Sequence, residues 1–147
     1  MFERITSDQY YLEIAAAVSK KSTCLRRQYG AVIVKNNEII STGYNGSPRG
    51  LENCVDANNC LRIDNNHNCG NYTHCRSVHA EMNAIISASR QEMIDSTLYL
   101  VGFENGIFLE DICPCALCKR LIINAGIKTI ITKNTTYIVK EIKNIDS

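Results

Sequence analysis

Helix-spaced and strand-like apolar stretches alternate along the chain. Tyr11, Ile14, Ala15 and Val18 recur at the intervals of one helix face, and Thr6-Ser7-Asp8-Gln9 ahead of them has the spacing of a capping box, so a first helix is predicted to about Lys20. The runs Gly30-Ala31-Val32-Ile33-Val34 and Glu38-Ile39-Ile40-Ser41-Thr42 flank Asn36-Asn37, residues that tolerate the positive φ of a tight turn, and predict an antiparallel hairpin. From Gly43 to His74 the pattern dissolves into Gly, Asn, Pro and Cys, a loop too long to be idle in a compact domain. Helical spacing returns from His79 to about Ser89 through Ala80, Ala84, Ile85 and Ala88, and Thr97 to Val101 reads as a short buried strand. Pro114 suits the first turn of a helix that continues through Leu121 and Ile122 and stops at Gly126. A strand from Thr129 to Thr132 follows, then Asn134-Thr135-Thr136 and Tyr137-Ile138-Val139, predicted as a hairpin and a final strand. With no repeat, low-complexity tract or linker, residues 1–147 are expected to form one α/β domain, a three-layer α/β/α sandwich around a mixed sheet.

Composition narrows the partners. Sixteen basic and fifteen acidic residues leave a net charge of +1, so no broad field favours a nucleic acid or an anionic membrane, and any phosphate recognition must be local. Met1-Phe2-Glu3-Arg4-Ile5 contains no apolar core of a signal peptide, and no apolar run is long enough to span a bilayer; the expectation is a cytoplasmic protein. Eight cysteines in such a chain argue for metal ligation more than for a disulfide framework, because the Ile-, Val- and Ala-rich elements can build a core without cross-links.

Two short motifs carry the chemistry, His79-Ala80-Glu81 and Pro114-Cys115-Ala116-Leu117-Cys118. His79, Cys115 and Cys118 offer one imidazole and two thiolates, three ligands for a zinc ion whose fourth position stays open to water. Cys115 and Cys118 are spaced to face one side of a helix, in a first turn whose dipole favours thiolate. Zinc lowers the pKa of water from about 15.7 to near 7, and Glu81, which need not bind metal, can then move protons between that water and a substrate. A Cys-x-x-Cys with a distant histidine also occurs in structural zinc knots, and His-x-Glu occurs by chance in helices; the order and the proline make the combination specific. His-x-Glu followed by Pro-Cys-x-x-Cys is an established mark of zinc-dependent nucleobase deaminases.

The other cysteines, Cys24, Cys54, Cys60, Cys69 and Cys75, with His67 and His74, crowd the long loop and the segment before the first strand. A second, closed zinc site there would order a loop with little apolar surface, and Cys24, Cys54, Cys60 and Cys75 are the ligands expected; reduced thiols without metal are the alternative. In Gly43-Tyr44-Asn45-Gly46-Ser47-Pro48, Asn45 offers amide donors and an acceptor for sugar hydroxyls, while Arg26 and Arg27 are suited to a bidentate grip on phosphate or, more blandly, to a solvated basic pair.

With these residues in view, the chain from about Ser22 to Thr132 resembles the deoxycytidylate deaminases of the zinc cytidine-deaminase superfamily. The resemblance rests on Ser22-Thr23-Cys24-Leu25-Arg26-Arg27, Gly30-Ala31-Val32-Ile33-Val34, Gly43-Tyr44-Asn45-Gly46, His79-Ala80-Glu81-Met82-Asn83-Ala84, Leu98-Tyr99 and Pro114-Cys115-Ala116-Leu117-Cys118. It implies a cytidine-deaminase-like fold and hydrolysis of dCMP to dUMP and ammonia, which supplies thymidylate synthesis. It also implies that His79, Cys115 and Cys118 hold zinc and that Glu81 shuttles protons. By the same resemblance Asn45 contacts the sugar, Arg26 the 5′-phosphate, the Ala80 backbone the pyrimidine, and the Cys113 carbonyl the exocyclic amine. Homo-oligomers, and regulation by dCTP with Mg²⁺ and by dTTP, are common in the family and enter as expectations. Two features depart from the family pattern: an insertion over Gly102–Asp111, bordering the zinc motif, and a short tail. Deamination of another cytosine or adenine nucleoside or nucleotide is the nearest alternative, and a non-catalytic zinc-stabilised binding module a more distant one. Near-neutral charge argues against a tRNA substrate.

Overall fold

In a computed structural model of the chain, residues 1–61 and 75–145 are described. Helix α1 (Ser7–Ser19) begins at Thr6, whose hydroxyl accepts the Gln9 N–H at 3.1 Å, as the capping spacing requires. Strands β1 (Gln28–Lys35) and β2 (Glu38–Tyr44) form the expected hairpin, with Asn36 and Asn37 at φ of 53° and 62°. A four-residue helix α2 (Cys54–Ala57) interrupts the long loop. Helix α3 (Ala80–Ile86) stops short of the expected Ser89, because Ser89 and Glu92 form a capping box that starts a separate turn, α4 (Arg90–Met93). Strand β3 (Thr97–Glu104) runs on into a tight turn and β4 (Ile107–Phe108), a hairpin not anticipated from the sequence. Helix α5 (Ala116–Ala125) starts from Cys115 as N-cap, so Pro114 precedes the helix instead of opening its first turn, and Gly126 ends it as expected. Strands β5 (Thr129–Ile131) and β6 (Thr136–Ile138) close the chain as a hairpin, and Val139 turns into a short 3₁₀ segment instead of continuing the strand.

The sheet order is β2-β1-β3-β5-β6, with β4 paired to the far end of β3. It is mixed: β3 and β5 run parallel, and the other pairs are antiparallel. Strand alternation divides the core between the two faces. Val32, Val34, Tyr99 and Val101 point to one side, where Tyr11 and Ala15 of α1 cover them. Ala31, Ile33, Leu98 and Leu100 point to the other, under Ala80 and Ala84 of α3 and Cys118 and Ile122 of α5. These are the three layers expected. Among the described residues no helix is long and apolar enough to cross a membrane.

Candidate functional site

The site forms where two helix starts meet over the sheet. Gly43 brings α3 down onto β2, since a Cβ at that position would run into the backbone of Ala80 and Ala84. Ser41 Oγ donates to Ala84 O at 2.7 Å and Asn83 Nδ2 to Tyr44 O at 2.8 Å, which fixes the helix along the strand. A bridge between Gly46 and Val78 sets the entry to α3 one residue before His79. His79 is the N-cap of α3 and Cys115 the N-cap of α5, so the first turns of both helices open on the same space.

The three metal-ligating side chains named from the sequence come together here. His79 Nδ1 lies 3.3 Å from Cys118 Sγ and 3.4 Å from Cys115 Sγ, and the three donor atoms all fall within 4.8 Å of one another. This spacing and this donor set suit a tetrahedral zinc with one position left for a non-protein ligand. Without metal, the hydrogen bond with Cys118, reinforced by one to His79 and opposed by burial, pulls the Cys115 thiol down to about 4. Cys118, buried and donating to Cys115, is pushed well up. The hydrogen bond between the two sulfurs thus favours thiolate at Cys115 and thiol at Cys118.

Glu81 sits in the first turn of α3 at 6 % exposure. Burial raises its pKa, an effect the nearby His79 partly offsets and Cys115 reinforces. A buried carboxylate held towards its protonated form beside a metal site is suited to passing a proton both ways.

A cavity of about 230 Å³ opens from this group, lined by His79, Glu81, Cys113 and Cys115 at one end and by Arg26, Arg27, Tyr29 and Asn45 at the other. Ala80 is fully buried at the helix start, and Cys113 is exposed on the cavity wall. Asn45 is largely committed to the protein: its Oδ1 accepts from the Tyr29 N–H at 2.9 Å and from Ser22 Oγ at 2.6 Å, and its Nδ2 donates to Arg27 O at 2.9 Å. One amide N–H remains for a ligand. Tyr29, Leu100 and Ser77 also line the cavity and were not found from the sequence. Ser77 Oγ is buried without a hydrogen-bond partner among the described residues, a condition that a bound polar ligand would relieve. No motif marks it; only the fold brings it to the wall.

The four cysteines expected to hold a second metal are spread more widely. Among the described residues, His79, Cys115 and Cys118 are the group gathered to ligating distance. Cys24, Cys60 and Cys75 line the same cavity, and buried Cys54 feels the charges of Cys24 and Cys60 while Arg76 Nη1 lies 3.7 Å from its sulfur. Cys69, His67 and His74 lie outside the described residues.

The signature described as "Cytidine and deoxycytidylate deaminase zinc-binding region" matches residues 5–134. The chain belongs to this family. Within it, the chain is 38% identical over 131 residues to the deoxycytidylate deaminase of Schizosaccharomyces pombe, an alignment covering 88% of this chain and 37% of that protein. It thus spans little more than a third of that relative's length. It is 34% identical over 128 residues to the deoxycytidylate deaminase of Mycobacterium phage D29, covering 84% of this chain and 91% of the phage protein. Among solved structures, the dCMP deaminase of cyanophage S-TIM5 in its apo form superposes with a TM-score of 0.63 at 28% identity, over 90% of this chain and 86% of that one. A second structure of the same phage enzyme, in complex with dCMP and dUMP, gives 0.62. Family membership accounts for the zinc site and confirms the cytidine-deaminase-like fold.

Proposed function

We propose that this protein catalyses the hydrolytic deamination of dCMP to dUMP and ammonia. The observation that carries the reading is one cavity that joins a buried proton carrier at a His-Cys-Cys metal site, Glu81, to a pair of arginines, Arg26 and Arg27. When bound, zinc supplies a Lewis acid that makes water acidic enough to attack at neutral pH. The chain's own residues do the rest. The base enters edge-on against the α3 start, with the Ala80 backbone and the Cys113 carbonyl meeting its polar edge. Glu81 takes a proton from water as its oxygen adds to C4, delivers it to the ring nitrogen, and passes the second to the amine as the C4–N bond breaks. Asn45 and Ser77 face the sugar, and the arginines face the 5′-phosphate. The deoxycytidylate deaminases among the relatives support this substrate.

The same reading extends to the rest of the assembly. Cys24, Cys54, Cys60 and Cys75, near one another though not gathered to ligating distance, would draw together around a second, structural zinc that pins the loop after β2. Ile86, Leu117 and Leu121 are exposed apolar residues on the adjoining helices α3 and α5, and support a homo-oligomer built on that face. Activation by dCTP with Mg²⁺ and inhibition by dTTP through the loop after β2 are proposed on the family resemblance alone, and the nucleotide substrate supports a cytoplasmic setting.

An ammonia-release assay over a panel of cytosine and adenine nucleosides and nucleotides tests the function. dCMP should be the preferred substrate, and Glu81→Gln should retain zinc while losing turnover by at least about 10²-fold, the lower range for a lost general acid–base. Preference for an adenine nucleotide, or normal turnover by the variant, would sink the assignment.

A further inference from the structure

The segment Gly102–Asp111, read from the sequence as a departure from the family pattern, folds as a hairpin that reaches the cavity through Arg27. Asn105 and Gly106, at φ of 52° and 75°, close the β3–β4 hairpin, in which Glu104 pairs with Ile107 and Phe103 with Phe108. The hairpin is tied down on both sides. Phe103 and Phe108 meet edge to face at 4.8 Å, Lys133 Nζ lies 4.8 Å from the Phe108 ring centre and 3.3 Å from Glu110 Oε1, and Leu109 N–H donates to Gly102 O at 2.8 Å. Gly102 matters here because a Cβ would sit 2.6 Å from Tyr29 Cε1; its absence lets the Tyr29 ring lie across β3.

These contacts deliver one carboxylate to one arginine. Arg27 Nε donates to Glu104 Oε1 at 3.3 Å, its Nη1 donates to Tyr29 Oη at 3.2 Å, and its backbone carbonyl is held by Asn45. The guanidinium carries five N–H donors in a rigid fork. Among the described residues two are engaged, and the other three lie on Nη1 and Nη2, enough to grip an anion in bidentate fashion. Arg27 and Tyr29 share the cavity with Glu81, and Glu104 reaches Arg27 from outside the cavity lining, each side chain of the pair being 36% exposed.

We propose that Glu104 is a positioning residue: with Tyr29 it locks the Arg27 guanidinium in the cavity wall so that its free edge receives the 5′-phosphate of the substrate. This rests on the reading of a phosphorylated cytosine nucleotide as substrate. The carboxylate has two opposed effects on a phosphate. Its charge repels the anion and cancels one of the two arginine charges, whereas its hydrogen bond fixes the fork that binds the anion. For a semi-exposed pair the charge is screened by water, and orientation wins.

The test is steady-state kinetics on dCMP and on deoxycytidine with the full chain and its Glu104→Ala, Glu104→Gln and Arg27→Ala variants. Glu104→Ala should raise KM for dCMP about fivefold, the upper range for an exposed ion pair, while its kcat moves by less than about twofold, so that selectivity for the phosphorylated substrate falls. Glu104→Gln keeps an oxygen that accepts from Arg27 Nε and should restore KM to within about twofold of the unaltered protein. Arg27→Ala should raise KM for dCMP about fiftyfold, as expected for a lost hydrogen bond to a charged group. The proposal is overturned if Glu104→Ala leaves KM for dCMP unchanged or lowers it, if it raises KM for both substrates alike, if Glu104→Gln fails to rescue, or if Arg27→Ala leaves selectivity intact. An unaltered protein that uses deoxycytidine as well as dCMP would instead refute the substrate reading, and that result needs no variant.

Discussion

Cys115 and Cys118 are the residues at which protonation and metal binding are most tightly coupled. Their mutual hydrogen bond draws Cys115 towards thiolate and holds Cys118 towards thiol, with a proton still to lose. Zinc needs both as thiolates, so binding must expel that proton. Affinity should therefore fall as pH drops, by about tenfold per pH unit for one proton displaced. Competition titrations against a chelator of known affinity at pH 6.5, 7.5 and 8.5 measure this directly, and a pH-independent constant would contradict the thiol at Cys118. These ligands and Glu81 were legible in the sequence because their chemistry depends on residue type at short spacing. Asn45 was legible only as a polar residue near a ligand. That it spends most of its hydrogen bonds on Ser22, Tyr29 and Arg27 follows from segments distant in the chain.

Helix and strand positions followed from apolar spacing wherever one face is buried, which is why α1, the β1–β2 hairpin, β3 and α5 lie close to where they were expected. The misses have identifiable local causes. Ser89 and Glu92 carry the reciprocal spacing that restarts a helix, and Asn105-Gly106 is the strongest short signal for a two-residue hairpin, so both elements are encoded locally. The contact between β2 and α3 has no such local sign. Gly43 admits the backbone of Ala80 and Ala84 into the space a side chain would fill, and the start of α3 is what carries His79 and Glu81. Gly43→Ala should cost about 1–3 kcal/mol of stability through overpacking. It should also weaken zinc binding, since α3 has to move away from the strand. Thermal unfolding read together with zinc titration checks both, and a variant with native stability and native affinity would show that the contact is loose.

At the scale of the whole molecule, the sheet brings together pieces that are far apart in sequence: the segment before β1, the loop after β2, the start of α3, the middle of β3 and the start of α5. The proposed second zinc draws on the same convergence, since Cys24 before β1, Cys54 and Cys60 in the loop after β2, and Cys75 ahead of α3 come together on one side, three of them on the cavity wall and Cys54 behind it. Metal analysis of the purified protein should give two zinc ions per chain, and removal of the second by Cys54→Ser should lower the melting temperature while His79 and Glu81 stay in place. A single zinc per chain would eliminate the closed site. What the amino-acid order determined by itself was the donor set, the proton carrier and the succession of elements, because a metal ligand, a helix face or a tight turn is specified by residues a few positions apart. What only the tertiary structure decided was which arginine is held, by which carboxylate, and that it shares a cavity with the reacting end. Those relations join positions such as Arg27 and Glu104, and they exist only once β1 and β3 pair and bring the β3–β4 hairpin against Arg27.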